Sequence, residues 1–152
     1  MKNGSSIQFV SVFAPALIIC CTAASAAAEP LDTAAAMASF EEGRATGVTP
    51  QTPSEYLSCA AMWDRWEYFM LSANTPDLKN GISKTLSAPA ARRQAAKLRQ
   101  KARALAKRWD DVDDLPALTA EGEEYADAQY SAFITSQQDA EHDFLMSLGI
   151  CK

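Results

Sequence analysis

Arg92, Arg93, Lys97, Arg99, Lys101, Arg103, Lys107 and Arg108 crowd into one short stretch with no acid among them, and Asp110, Asp111, Asp113 and Asp114 follow at once. A cationic ridge of this density suits an anionic partner: lipid headgroups, cell-wall polymers or an acidic protein. The same pattern also fits the solvated faces of a helix that pairs with Glu121, Glu123, Glu124 and Asp127 on the next one. Helix dipoles favour that arrangement, with cations late in one helix and acids early in the following one.

Other reactive side chains are sparse. His142 is the only histidine. On a helix it falls about 120° from the centre of the apolar arc, with Asp139 and Met146 on the same outer side. Imidazole and thioether together are copper-type ligands, yet a pair without a second histidine makes a weak site. A haem-bundle arrangement would use Met37 early and His142 late, but the outward phase of His142 and the short first helix argue against it. No metal or cofactor is expected. Trp63, Trp66, Phe69 and Trp109 stand at helical spacing, so they read as core before they read as the lining of an apolar pocket. The acid pairs Glu41/Glu42 and Glu123/Glu124 are adjacent and diverge by about 100° on a helix, so they cannot face each other across a substrate. There is no Ser-x-x-Lys and no nucleophile elbow. An enzyme is not expected.

The elements that hold these groups begin after residue 28. Residues 1–28 read as a secretory signal peptide: Lys2 as the positive start, a largely apolar stretch over 7–21, and small residues over 23–28 that stop at Glu29. Cleavage fits after Ala26 or Ala28. The stretch is short for a membrane span and is interrupted by Pro15. Ile18 and Ile19 stand before Cys20 where a lipoprotein would carry small residues. The chain is therefore expected to be exported, to the periplasm or to the outside, with one α-helical domain over 29–152 and no membrane span in it.

Removing 28 of 152 residues leaves 124, enough for one modest core. Lys2 leaves too, so 13 Lys and Arg stand against 19 Asp and Glu, a formal charge of −6. Nucleic acid is excluded as a natural partner by that balance and by export. Cys20 and Cys21 go with the signal, and the remaining Cys59 and Cys151 are expected to form one disulfide in an oxidising compartment, the other readings being an intermolecular bridge or two free thiols. A redox Cys-x-x-Cys, a haem attachment site and a four-cysteine zinc site are excluded by the count.

The mature pattern is helical throughout and predicts an all-α, four-helix bundle-like domain. A short Ala-rich helix over 32–43 is capped by Asp32 or Thr33. Thr52-Pro53-Ser54-Glu55 is a capping box with Pro at the first helical position, opening a helix to about residue 73. Its arc of Cys59, Met62, Trp63, Trp66, Phe69, Met70 and Ala73 lies opposite Asp64, Arg65 and Ser72. A heptad seam over 88–112 uses Ala91, Ala95, Leu98, Ala102, Leu105, Trp109 and Val112. Pro116 breaks the chain, and a last helix over 119–148 buries Ala126, Tyr130, Phe133, Ile134, Phe144 and Leu148, with Gly149 as its terminator.

The cysteines test this order. An up-down-up run of the last three helices puts Cys59 and Cys151 at opposite ends of a span of about 30 Å, whereas a bridge needs Cα atoms within about 7 Å. Either residues 74–87 cross over and make the Trp-rich and basic helices parallel, or the last helix breaks sharply near Ser136 and Gln137. The crossover is the expected solution, because it also accounts for the long connection. The function expected is that of a non-enzymatic envelope binding protein, meeting an envelope protein or an anionic envelope surface through the ridge at 92–108 or the groove between helices.

Overall fold

The computed structural model describes residues 31–73, 76–135 and 139–152, and the predicted signal peptide at 1–28 lies outside them. The described chain is all-α, with no strand. Helix α1 (Thr33–Ala45) starts at Asp32, whose carboxylate accepts from the N–H groups of Ala34 at 2.8 Å and Ala35 at 3.3 Å. Helix α2 (Pro53–Ser72) starts with the anticipated capping box. Glu55 N–H donates to Thr52 Oγ1 at 3.2 Å, and the Glu55 carboxylate accepts from Thr52 N–H at 3.1 Å and Gln51 N–H at 2.6 Å. Those backbone donors hold the Glu55 carboxyl below its ordinary range.

A short α3 (Pro76–Gly81) and a 3-10 turn (Lys84–Leu86) lead to α4 (Ala88–Trp109), which ends on Asp110 in the left-handed region. After a second 3-10 turn (Val112–Asp114) come α5 (Leu115–Ile134) and α6 (Ala140–Ile150). Pro116 therefore does not break a helix. It sits in the first turn of α5, where its missing N–H costs nothing.

The two cysteines meet because the last helix is broken, not through a crossover at 74–87. The last predicted helix is two helices, α5 and α6, separated between Ile134 and Ala140, so the count of four does not hold. No crossover makes α2 and α4 parallel: Glu67 meets Arg92 and Tyr56 meets Lys101, which is an antiparallel pair. Helix α5 then runs parallel to α2, with the backbone at Leu57 and Ser58 against Gly122 and the ring of Phe69 against Phe133 at 5.0 Å. Helix α6 turns back, and Cys151 reaches Cys59 with a Cα–Cα distance of 5.2 Å. The stacked rings of Phe133 and Phe144, 4.9 Å apart, hold the corner where it turns.

Helix α2 is the axis of the fold, flanked by α4 and α5, with α1 and α6 on its remaining side. Trp63 and Trp66 are fully buried in it, as are Phe40 from α1, Leu98 from α4 and Phe144, Leu145 and Leu148 from α6. Both indole N–H groups are satisfied: Trp66 donates to Leu86 O and Trp63 to Cys151 O, each at 2.7 Å. Two residues of the polar arc of α2 are half-buried against neighbouring helices, while Ser72 is exposed. Asp64 pairs with Arg99 of α4, and Arg65 with Asp127 of α5, so these groups tie α2 to its neighbours.

Three expected core positions are corrected. Trp109 and Val112 are each 48% exposed, and Ile134 is equally so. Trp109 has the right phase on α4, but Lys101 already lies over Tyr56 near the start of α2. At about 1.5 Å per residue, Trp109 overhangs the end of its partner. Ala106, one residue off the heptad, is buried instead, as a straight helix with period 3.6 requires.

Helices α1 and α6 run in the same direction and touch backbone to backbone. A Cβ at Gly43 would lie 1.9 Å from the carbonyl oxygen of Met146, and one at Gly149 would lie 2.1 Å from that of Phe40. Gly149 is thus inside α6 as a contact residue, not its terminator, and the helix ends at Cys151.

Candidate functional site

The eight cations of α4 separate by azimuth into those that hold the fold together and those that do not. Arg92 donates through Nε to Glu67 Oε1 at 2.7 Å, Arg99 grips both carboxylate oxygens of Asp64, and Lys101 lies 5.5 Å from the centre of the Tyr56 ring. These three face α2 from its two flanks. Arg93, Lys97, Arg103, Lys107 and Arg108 point outward, and among the described residues none has a carboxylate at ion-pair distance.

The two ends of that outer row differ. At the C-terminal end, Lys107 and Arg108 are followed by four aspartates that offset their field. At the N-terminal end, Arg93 and Lys97 are joined by cations from elsewhere in the chain. They share a hollow of about 390 Å³ with Arg44 at the end of α1 and Lys152 just past α6. No Asp or Glu lines it. Phe40, Trp63, Thr85, Ala90 and Gln94 complete its lining.

Sequence reasoning missed Arg44 and Lys152. Arg44 carries no signal of its own. Lys152 could have been placed from the disulfide, because the bridge to Cys59 brings the residue after Cys151 to the middle of α2. Two hydrogen bonds complete the placement: the Trp63 indole and the Gln94 amide both donate to Cys151 O, at 2.7 and 3.1 Å. Lys152 then reaches back, its Nζ donating to Arg44 O at 2.7 Å. The Arg44 guanidinium rests on Glu41 at 3.0 Å, an exposed i,i+3 pair that is cheaply broken.

A second concavity of about 360 Å³ lies beside the disulfide, between Val48, Pro50, Met62, Tyr125 and Ile150. Of the aromatic group singled out in the sequence, Trp63, Trp66 and Phe69 belong to the core and Trp109 to the surface, so the four do not line one pocket.

The weak metal candidates are placed apart from such chemistry. His142 is exposed, with Nε2 3.0 Å from Glu42 and Nδ1 3.3 Å from Asp143. Asp139 occupies the cap position of α6, and Met146 is half-buried with its carbonyl against Gly43. Among the described residues no cluster of three or more His, Cys, Asp or Glu side chains is arranged for a metal ion. Met37 packs against the core. Glu41 and Glu42 diverge as expected, one to Arg44 and the other to His142.

Glu42 first and Asp143 second raise the pKa of His142 above its ordinary 6.5. The sign follows from linkage: a raised pKa gives a contribution to stability that is complete below about 6.5 and lost as pH rises through the folded value. An NMR titration of His142 should give a midpoint above 6.5, and Glu42→Gln should lower it. An unchanged midpoint in that variant would show that the α1–α6 pair does not form in solution.

No protein family, curated protein or solved structure matches this chain, so its own geometry carries the reading of the site.

Proposed function

We propose that this chain is an exported, non-enzymatic binding protein of the cell envelope that receives an anionic envelope surface on the outer row of α4. The observation that supports it is the division of the basic helix. Three cations are consumed by α2, while five face outward without a counter-charge among the described residues. On a chain of net negative charge, such a row is a local field directed at one kind of partner. No described helix is long and apolar enough to cross a membrane.

The test is binding to vesicles of phosphatidylglycerol against vesicles of phosphatidylcholine, over a range of salt. Binding should require the anionic lipid and weaken as salt rises. Each cation near an anionic surface contributes about 1 kcal/mol, so reversing Arg93, Lys97 and Arg108 to glutamate should weaken binding by at least about a hundredfold. Unchanged binding would overturn the reading. Export is tested separately by sequencing the N-terminus of the mature protein, which should begin after Ala26 or Ala28.

A further inference from the structure

We infer that the hollow between α1, α4 and the C-terminal residue is a binding site for a small phosphoryl compound. The inference deepens the envelope-binding reading and rests on it for the source of the ligand, though not for its chemistry. Four cations from three separate parts of the chain, Arg44, Arg93, Lys97 and Lys152, line one concavity to which no Asp or Glu contributes. Glu41 offsets Arg44, but among the described residues Arg93 and Lys97 have no acidic side chain at ion-pair distance, so an anion between them would relieve their repulsion. Arg93 and Lys97 are one helical turn apart and point the same way, so both reach one group from the α4 side. Arg44 needs only to leave its exposed pair with Glu41 to close over it from the α1 side.

The type of anion follows from the donors. Guanidinium groups match the paired oxygens of a phosphoryl group, and ammonium groups act on it as point charges. Thr85 and Gln94 in the lining add a hydroxyl and an amide, the latter already donating to Cys151 O. At about 390 Å³ the hollow falls within the range of small-ligand sites and is larger than a lone phosphate ion requires. Phe40 and Trp63 are almost wholly buried and expose little ring surface, so the site offers little to a large apolar group. A diphosphate or the phosphate ester of a short polar molecule fits, either free or as a lipid headgroup.

Two reporters already sit in the wall. The Trp63 indole N–H and the Gln94 side-chain amide share Cys151 O, and both give resolvable ¹⁵N NMR signals. Titration of the full mature protein with inorganic pyrophosphate or glycerol 3-phosphate should shift both in a saturable way. The double variant Arg93→Gln/Lys97→Gln should weaken that binding at least tenfold. Lys107→Gln/Arg108→Gln, on the same helix but outside the hollow, should leave it unchanged. All four residues are exposed, so folding is expected to survive and is checked by the thermal midpoint.

Shifts that never saturate, or equal weakening by both double variants, would overturn the site and leave only a diffuse basic surface. Saturable binding of the soluble probes without vesicle binding would keep the hollow and remove the envelope surface as the source. Vesicle binding without soluble binding would do the reverse.

Discussion

Replacing Cys59 and Cys151 together by alanine is expected to lower the free energy of unfolding by about 4.5 kcal/mol, the chain-entropy value for a bridge of this length. The cysteines are 92 residues apart, so everything from the middle turns of α2 through α6 lies inside the closed loop, with α1 and the start of α2 outside it. Domains of this size are stable by about 5–15 kcal/mol, which makes the bridge a large fraction of the total. The local structure adds to the loss. Cys151 O accepts from both Trp63 and Gln94, and a fraying C-terminus leaves the Trp63 indole buried without a partner. Urea denaturation of the oxidised and double-alanine proteins measures the difference. Equal midpoints would show that the bridge does not constrain the chain. In the oxidised protein, thiols should become alkylatable only after reduction.

Gly149→Ala and Gly43→Ala are each expected to destabilise the protein by about 2 kcal/mol, although helix propensity alone predicts a gain of about 1 kcal/mol for either. The sign is decided by space. The new methyl at Gly149 would stand 2.1 Å from Phe40 O and 2.9 Å from Arg44 N, and that at Gly43 1.9 Å from Met146 O. The obstructing atoms are backbone, which cannot rotate away as a side chain would, so α1 and α6 must separate. Separation draws Phe40 and Leu145 away from a close-packed core. It also moves Arg44 from Lys152, so Gly43→Ala should weaken pyrophosphate binding in the hollow as well. Thermal unfolding tests the first effect, and a midpoint that rises would show that the helices do not approach this closely.

Local features were legible in the residues. The caps at Asp32 and Thr52, the Pro53 start, the buried seam Ala91, Ala95, Leu98 and Ala102, and the Cys59–Cys151 bridge all follow from signals contained within a few residues or from a count. The errors lie where a position depends on what its partner does. Trp109 carries the correct phase, and only the length of α2 decides that nothing covers it. The last helix reads as continuous because Phe144 and Leu148 keep the helical phase of Ala126, Tyr130 and Phe133, although residues 135–143 hold no large apolar side chain; in the fold Phe133 stacks on Phe144 as α6 turns back. Loop length alone favours a crossover over 74–87, whereas α4 runs antiparallel to α2 because only then do Glu67 and Asp64 meet Arg92 and Arg99.

The basic ridge marks the boundary between the two kinds of knowledge. Its composition and its place on one helix were determined by the sequence, because helical phase is a property of the chain itself. Which of its cations are spent and which are free was decided by tertiary structure, since an ion pair needs a second element at a set distance and azimuth. The hollow belongs wholly to the fold. Arg44, the Arg93 and Lys97 pair, and Lys152 lie far apart in the chain and meet because the disulfide draws the residues after α6 back to α2 and because two glycines let α6 lie directly on α1.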